Sequence, residues 1–226
     1  MSAITEGPGI AALSCGKPVY LVVLLHGEGA DGRSIIDQAL NWAPALPKAD
    51  FLAAEAPWPA PGGGRSWFDA DPARGPASIM AAASALNTFL DAALAARRLP
   101  DSHLALVGFS QGATLALCAA LRRSRPVAAV VGFAGALPEA EPERVAPAVP
   151  VLLIHGEDDP VVPFAAMTAA KERLKAAGVP AKSVRRPGLG HAMDDDGIGA
   201  AGAFLTLHLA PRPAATATGT HRHDQI

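Results

Sequence analysis

The chain has 226 residues, half of them apolar, with Lys+Arg 19 against Asp+Glu 21. That length suits one domain around a single large core. Charge is nearly balanced: no basic stripe points to nucleic acid as a partner, and no acidic block points to a charged tail.

The first apolar run, VYLVVLL (19–25), is far too short to span a bilayer. The preceding MSAITEGPGIAALSCGKP lacks a basic start ahead of a sustained apolar segment, so no secretory signal is expected. Two cysteines make no disulfide framework. Cys15 reads as a free thiol and Cys118, inside an apolar helical stretch, as a small core residue. These features describe a cytoplasmic, enzyme-sized domain and leave a homodimer open.

Short apolar runs then alternate with helical stretches. PVYLVVLLHG (18–27) reads as a buried strand, SIIDQALNWA (34–43) as a helix and ADFLAAEAP (49–57) as a strand. A Pro/Gly loop (58–76) leads to a helix over 77–98, a strand over 103–109 and a helix over 113–123. Strands over 127–135 and 149–156 come next, then a helix over 164–178 closed by Gly178. A short strand over 181–187 and a helix over 198–209 complete the set. Continuous rather than alternating apolar strands are buried on both faces, so the predicted fold is α/β: a mostly parallel sheet with helices on both sides. The single domain is expected to span 1–210. The remaining 211–226 carries no apolar face to bury and reads as disordered.

GFSQG, Gly108 to Gly112, matches G-x-S-x-G between a strand and a helix. That is the sharp turn that lifts a serine hydroxyl above a parallel sheet, and side chains at 108 and 112 would collide with neighbouring backbone. A serine is a weak nucleophile until a histidine accepts its proton, and in this fold the chain order is serine, acid, histidine. His221 and His223 lie in the tail and His208 in the last helix. His191, in GLGHAMDDD between a strand and a helix, is the candidate base. His26 and His155, both in HG pairs at strand ends, read as structural residues that steady turns. The acid must come from IHGEDDPVVP (154–163), where three acids stand side by side. Asp159 precedes Pro160 and is held extended, Asp158 can close an Asx-type turn, and Glu157 is longer and solvated. Stereochemistry leans to Asp159 without excluding its neighbours.

LLHGEGADG, GFSQGA, HGEDDPVVP and GLGHAMD together resemble the phospholipase/carboxylesterase group of α/β-hydrolases, with bacterial carboxylesterases and acyl-protein thioesterases among its members. The resemblance runs over residues 24 to 194 in the right order. It implies the α/β-hydrolase fold, and its HG-x-x-D-x-x-V-P motif sets the acid on Asp159. The predicted triad is therefore Ser110, Asp159 and His191. A tetrahedral intermediate needs two N–H donors. The elbow supplies the backbone N–H of Gln111, and the resemblance implies that of Glu28. Relatives usually carry an apolar residue there, so Glu28 makes the groove entrance more polar. The same resemblance makes GGGRSWFD (62–69) a border of the groove, with Trp67 and Phe68 as candidate substrate contacts; read alone, the segment is a surface loop that these two residues anchor to the core, and the two roles are compatible. Segment 136–148 is too short for a cap domain, which favours small or extended esters. Asp194 to Asp196 are expected to cap the last helix rather than bind metal. No cofactor is implied. The sequence predicts a carboxylesterase acting on an ester or thioester through an acyl-enzyme on Ser110. Lysophospholipase or acyl-protein thioesterase activity is the alternative within the family. A dienelactone-type hydrolase is a rival on the same fold, disfavoured by serine rather than cysteine at the elbow. A non-catalytic ligand-binding protein on this scaffold is the alternative of another class.

Overall fold

The computed structural model describes residues 3–69, 75–138 and 149–209. The core is a seven-stranded sheet. Its strands are β1 (Thr5–Ile10), β2 (Tyr20–Leu25), β3 (Ala49–Glu55), β6 (Leu104–Phe109), β7 (Ala129–Phe133), β8 (Val151–Gly156) and β9 (Ala181–Arg186). A two-stranded hairpin of β4 (Trp58–Pro59) and β5 (Arg65–Ser66) stands apart from it. The order across the sheet is β1-β3-β2-β6-β7-β8-β9, parallel except for β1.

Side chains alternate across the sheet, and both sets are apolar. Leu21, Val23 and Leu25 face one core and Val22 and Leu24 the other; β8 likewise sends Val151 and Leu153 one way and Leu152 and Ile154 the other. The first core is closed by α3 (Gly75–Arg97), α4 (Gln111–Leu121) and α5 (Ala165–Ala176), the second by α1 (Gly32–Ile36), α2 (Ala39–Trp42) and α6 (Asp195–Leu209). At 23 residues, α3 is the one described helix long and apolar enough to cross a membrane. In this fold its Ile79, Ala83, Leu86, Leu90, Ala93 and Leu94 recur at helical spacing and are buried. The α/β-hydrolase prediction holds.

Three features differ from the expectations. The strand β1 was not predicted, because TEGPGI mixes glycine and proline into a six-residue run. An antiparallel edge tolerates that composition, since Pro8 needs no second neighbour and the register is irregular between Glu6 and Gly9. The helix expected over 34–43 divides into α1 and α2. From the end of α1 into α2, the Gln38, Leu40 and Asn41 N–H groups bond three residues back, which tightens the turn. The loop over 58–76 contains the β4–β5 hairpin. Of segment 136–148, on which the absence of a cap rests, residues 139–148 lie outside the described residues, as does the tail 211–226.

From β2 the chain moves outward to β3, then returns through α3 to place β6 on the other side of β2. That reversal makes the carboxyl ends of β2 and β6 the topological switch point, where α/β sheets open a crevice. The loops that start at His26 and Ser110 both begin there.

Candidate active site

Ser110 is the turn between β6 and α4, with φ 54° and ψ −118°. A non-glycine residue in that region is strained by about 1–3 kcal/mol. The strain is held by packing. The Ser110 N–H donates to Phe133 O at 2.8 Å, and Ser110 O accepts from Ala113 and Thr114 N–H at 3.0 and 3.1 Å. Side chains are excluded on both flanks: a Cβ on Gly108 would lie 2.4 Å from Gly112 O, and one on Gly112 2.2 Å from Leu25 O. The elbow therefore rests directly against the end of β2.

Ser110 Oγ is 2.9 Å from His191 Nε2, and His191 Nδ1 is 2.7 Å from Asp159 Oδ2. The three residues expected to work together, 81 and 32 positions apart along the chain, form one hydrogen-bonded line. Phe109 packs against the His191 ring at 4.9 Å between centroids. The Asp159 side chain is fully buried. Its Oδ1 accepts from Val161 and Val162 N–H at 2.8 and 2.9 Å, a compact turn closed through Pro160. Burial is the strongest single influence on this carboxyl and opposes ionisation. The bonds from His191, Val162 and Val161, with the His191 charge, outweigh it and hold the carboxyl below its ordinary value. The other two acids face elsewhere: Asp158 is exposed, and Glu157 takes Arg185 Nε at 2.6 Å.

His155 is more than a turn residue. Its buried Nε2 donates to Val162 O at 2.8 Å and stands 3.3 Å from Asp159 Oδ2, so it steadies the same carboxylate that faces His191. His26 is fixed as one tautomer: Nδ1 donates to Gly27 O at 2.7 Å and Nε2 accepts from Ala56 N–H at 3.3 Å. Burial lowers its pKa.

The Glu28 and Gln111 backbone N–H groups find no acceptor among the described residues. They lie on the two loops that meet at the switch point; a Cβ on Gly27 would lie 3.5 Å from Ser110 Cβ. Both loops are braced by the hairpin. Gly29 N–H donates to Arg65 O and Arg65 N–H to Ala30 O, each at 2.9 Å. A Cβ on Gly64 would lie 2.0 Å from Gly29 O, so this third glycine of the run serves close backbone approach. The Gln111 side chain clamps the other side: Oε1 accepts from Trp67 N–H at 2.7 Å and Ser66 Oγ at 3.2 Å, and Nε2 donates to Phe68 O at 3.0 Å. This role of Gln111 was missed, since only its main chain had a signal in the motif.

Trp67 and Phe68 were expected on the groove border. Trp67 is 1% and Phe68 8% exposed, both inside the core. Trp67 Nε1 donates to His26 O at 2.8 Å and its ring packs on His26 at 4.9 Å. They anchor the hairpin loop, and at this burial neither offers much surface to a ligand. Glu28 is exposed, with Oε1 3.4 Å from Ser66 Oγ. Asp194 caps α6 through Gly197 N–H at 3.0 Å and pairs with Arg186 at 2.7 Å, as the capping expectation required.

Residues 13–209 match the family model described as Phospholipase/Carboxylesterase. The chain belongs to the phospholipase/carboxylesterase family. It is 30% identical to Esterase YpfH of Escherichia coli over 187 residues, covering 79% of each chain. It is 29% identical to Acyl-protein thioesterase 1 of Schizosaccharomyces pombe over 175 residues, covering 68% of this chain and 74% of that one. The crystal structure of esterase PE8 superposes with a TM-score of 0.84 at 36% identity, covering 92% of this chain and all of that one (100%). A phospholipase/carboxylesterase from Dyadobacter fermentans, 22% identical with a TM-score of 0.71, shares the fold.

Proposed function

We propose that the protein is a serine carboxylesterase working through an acyl-enzyme on Ser110. The observation that carries this reading is the hydrogen-bonded line from Ser110 Oγ through His191 to Asp159. In the proposed cycle the hydroxyl attacks an ester or thioester carbonyl while His191 Nε2 takes its proton. His191 Nδ1–H stays on Asp159, which fixes the tautomer and favours the imidazolium as it forms. The Glu28 and Gln111 N–H groups receive the developing oxyanion. His191 then gives its proton to the leaving alkoxide or thiolate, and water repeats the steps in reverse to release the acid.

The intact line weighs against a non-catalytic ligand-binding protein. Small neutral esters are the favoured substrates, in keeping with the polar entrance made by Glu28. Thioesters form the second reading, favoured by the likeness to an acyl-protein thioesterase. A cytoplasmic setting is part of the same proposal. The test is Ser110→Ala: hydrolysis of nitrophenyl butyrate should fall by roughly 10⁴-fold or more. A fluorophosphonate probe should label the parent at Ser110 alone. Labelling at another residue, or an active variant, would reject the assignment.

A further inference from the structure

A cavity of about 300 Å³ lies between α1 and the loops that carry His26, Phe109 and Met193. Gly27, Ala30, Ile35, Phe109 and Met193 supply most of its wall. It adjoins the reacting groups through three of these. Gly27 abuts Ser110, Phe109 directly precedes it and packs on His191, and Met193 lies two residues after His191. Its volume is at the small end of the range of about 300–1,000 Å³ usual for ligand sites. It suits one short arm of an ester rather than a long chain.

Polar groups in the wall are almost all committed. His26 uses both ring nitrogens, on Gly27 O and Ala56 N–H. Ser34 Oγ donates to Asp31 O at 2.5 Å and accepts from Asp31 N–H at 3.3 Å in the cap of α1. Gln38 is the exception. Its main chain is fixed in the tight turn between α1 and α2, through N–H to Ile35 O and O from Asn41 N–H. Its side-chain Oε1 is buried and accepts no hydrogen bond. A buried acceptor left unpaired costs free energy, and a donor that reaches it recovers that cost. The side chain that carries Oε1 lines the cavity, so a small adjustment of the amide brings the unpaired acceptor to a donor held there.

We infer that this cavity is a donor-selective subsite: Gln38 accepts from a hydroxyl or N–H carried on one short arm of the ester. The inference rests on the esterase reading above. It makes the favoured substrate a small neutral hydroxy- or amido-substituted ester rather than a plain alkyl ester. The donor can belong to the acyl arm or to the alcohol arm, and matched isosteres separate the two. On the acyl arm the pair is nitrophenyl β-hydroxybutyrate against nitrophenyl isovalerate. On the alcohol arm it is hydroxypropyl butyrate against isobutyl butyrate.

The experiment measures kcat/KM for all four with the full chain. One neutral hydrogen bond should favour the hydroxyl-bearing member of one pair by about tenfold. In Gln38→Met, close in shape but without the acceptor, that ratio should fall to one or below. In Gln38→Glu, which keeps an acceptor, it should persist. Ratios near one for both pairs in the parent overturn the subsite, as does a preference that survives Gln38→Met. Fluorophosphonate labelling of Ser110 in the same preparation separates the two failures. Normal labelling without discrimination removes only the subsite, whereas absent labelling removes the esterase reading beneath it.

Discussion

Three neighbouring acids, Glu157, Asp158 and Asp159, share a turn, and only Asp159 is buried there. Its four partners divide between its oxygens: two backbone N–H groups on Oδ1, and His191 and His155 near Oδ2. An amide at 159 would put either an N–H against His191 or an N–H against two backbone donors. Asp159→Asn is therefore expected to lower kcat by about 10⁴, as loss of the orienting acid does in such triads. Asp158→Asn and Glu157→Gln should stay within about tenfold, because the Glu157–Arg185 pair lies at the surface. Steady-state kinetics on one nitrophenyl ester compares all three, and a reversed ranking would move the orienting role to a neighbour.

One scale up, the β4–β5 hairpin holds the two loops that carry the proposed oxyanion donors. Arg65 brackets the loop at Gly29 and Ala30, while the Gln111 amide reaches across to Ser66, Trp67 and Phe68. At Gly64 a methyl group would lie 2.0 Å from Gly29 O, and φ is +69°. Gly64→Ala must push the hairpin off the Glu28 loop. A donor displaced from the oxyanion costs up to about 10²–10³ in kcat, so the expected loss is of order tenfold to several hundredfold. KM should change less than kcat, because the hairpin meets the cavity beside α1 only at Ala30. A variant with parental kcat would show that the hairpin does not brace this loop.

For the whole molecule, pH couples to folding through groups at the carboxyl end of the sheet. Asp159 and His26 both have folded-state pKa values below their ordinary ones. In each case the unfolded chain binds protons more readily, so stability falls as pH falls. His26 begins to contribute below about pH 6.5 and Asp159 only below about pH 4, their unperturbed values. Melting temperature followed from pH 8 downward should therefore drop in two windows. His26→Gln should flatten the upper window, though at a lower overall stability, and Asp159→Asn should make the lower one shallower. The remainder comes from Asp194, where burial is outweighed by the bonds to Arg186 and Gly197, which also hold it below its ordinary value. Unchanged slopes in both variants would mean that other groups govern acid unfolding.

Much of this protein was legible in one dimension. Apolar runs of strand length separated by helical stretches specify a doubly covered parallel sheet, because each property repeats within a few residues. GFSQG signals a strand–turn–helix, and the bond before Pro160 constrains Asp159, again within a few positions. What the tertiary structure decided involves groups far apart in sequence. β1 exists only because β3 offers an edge that tolerates Pro8. Trp67 and Phe68 are core residues rather than open groove surface because Gln111 and His26, more than forty positions away, hold their loop inward. Gln38 stands out only where the turn between α1 and α2 leaves its side-chain carbonyl buried and unpaired in the wall of a cavity shared with Gly27, Phe109 and Met193. Local chemistry is written in neighbouring residues, whereas hydrogen-bond satisfaction is decided by whatever the fold brings within about 3 Å.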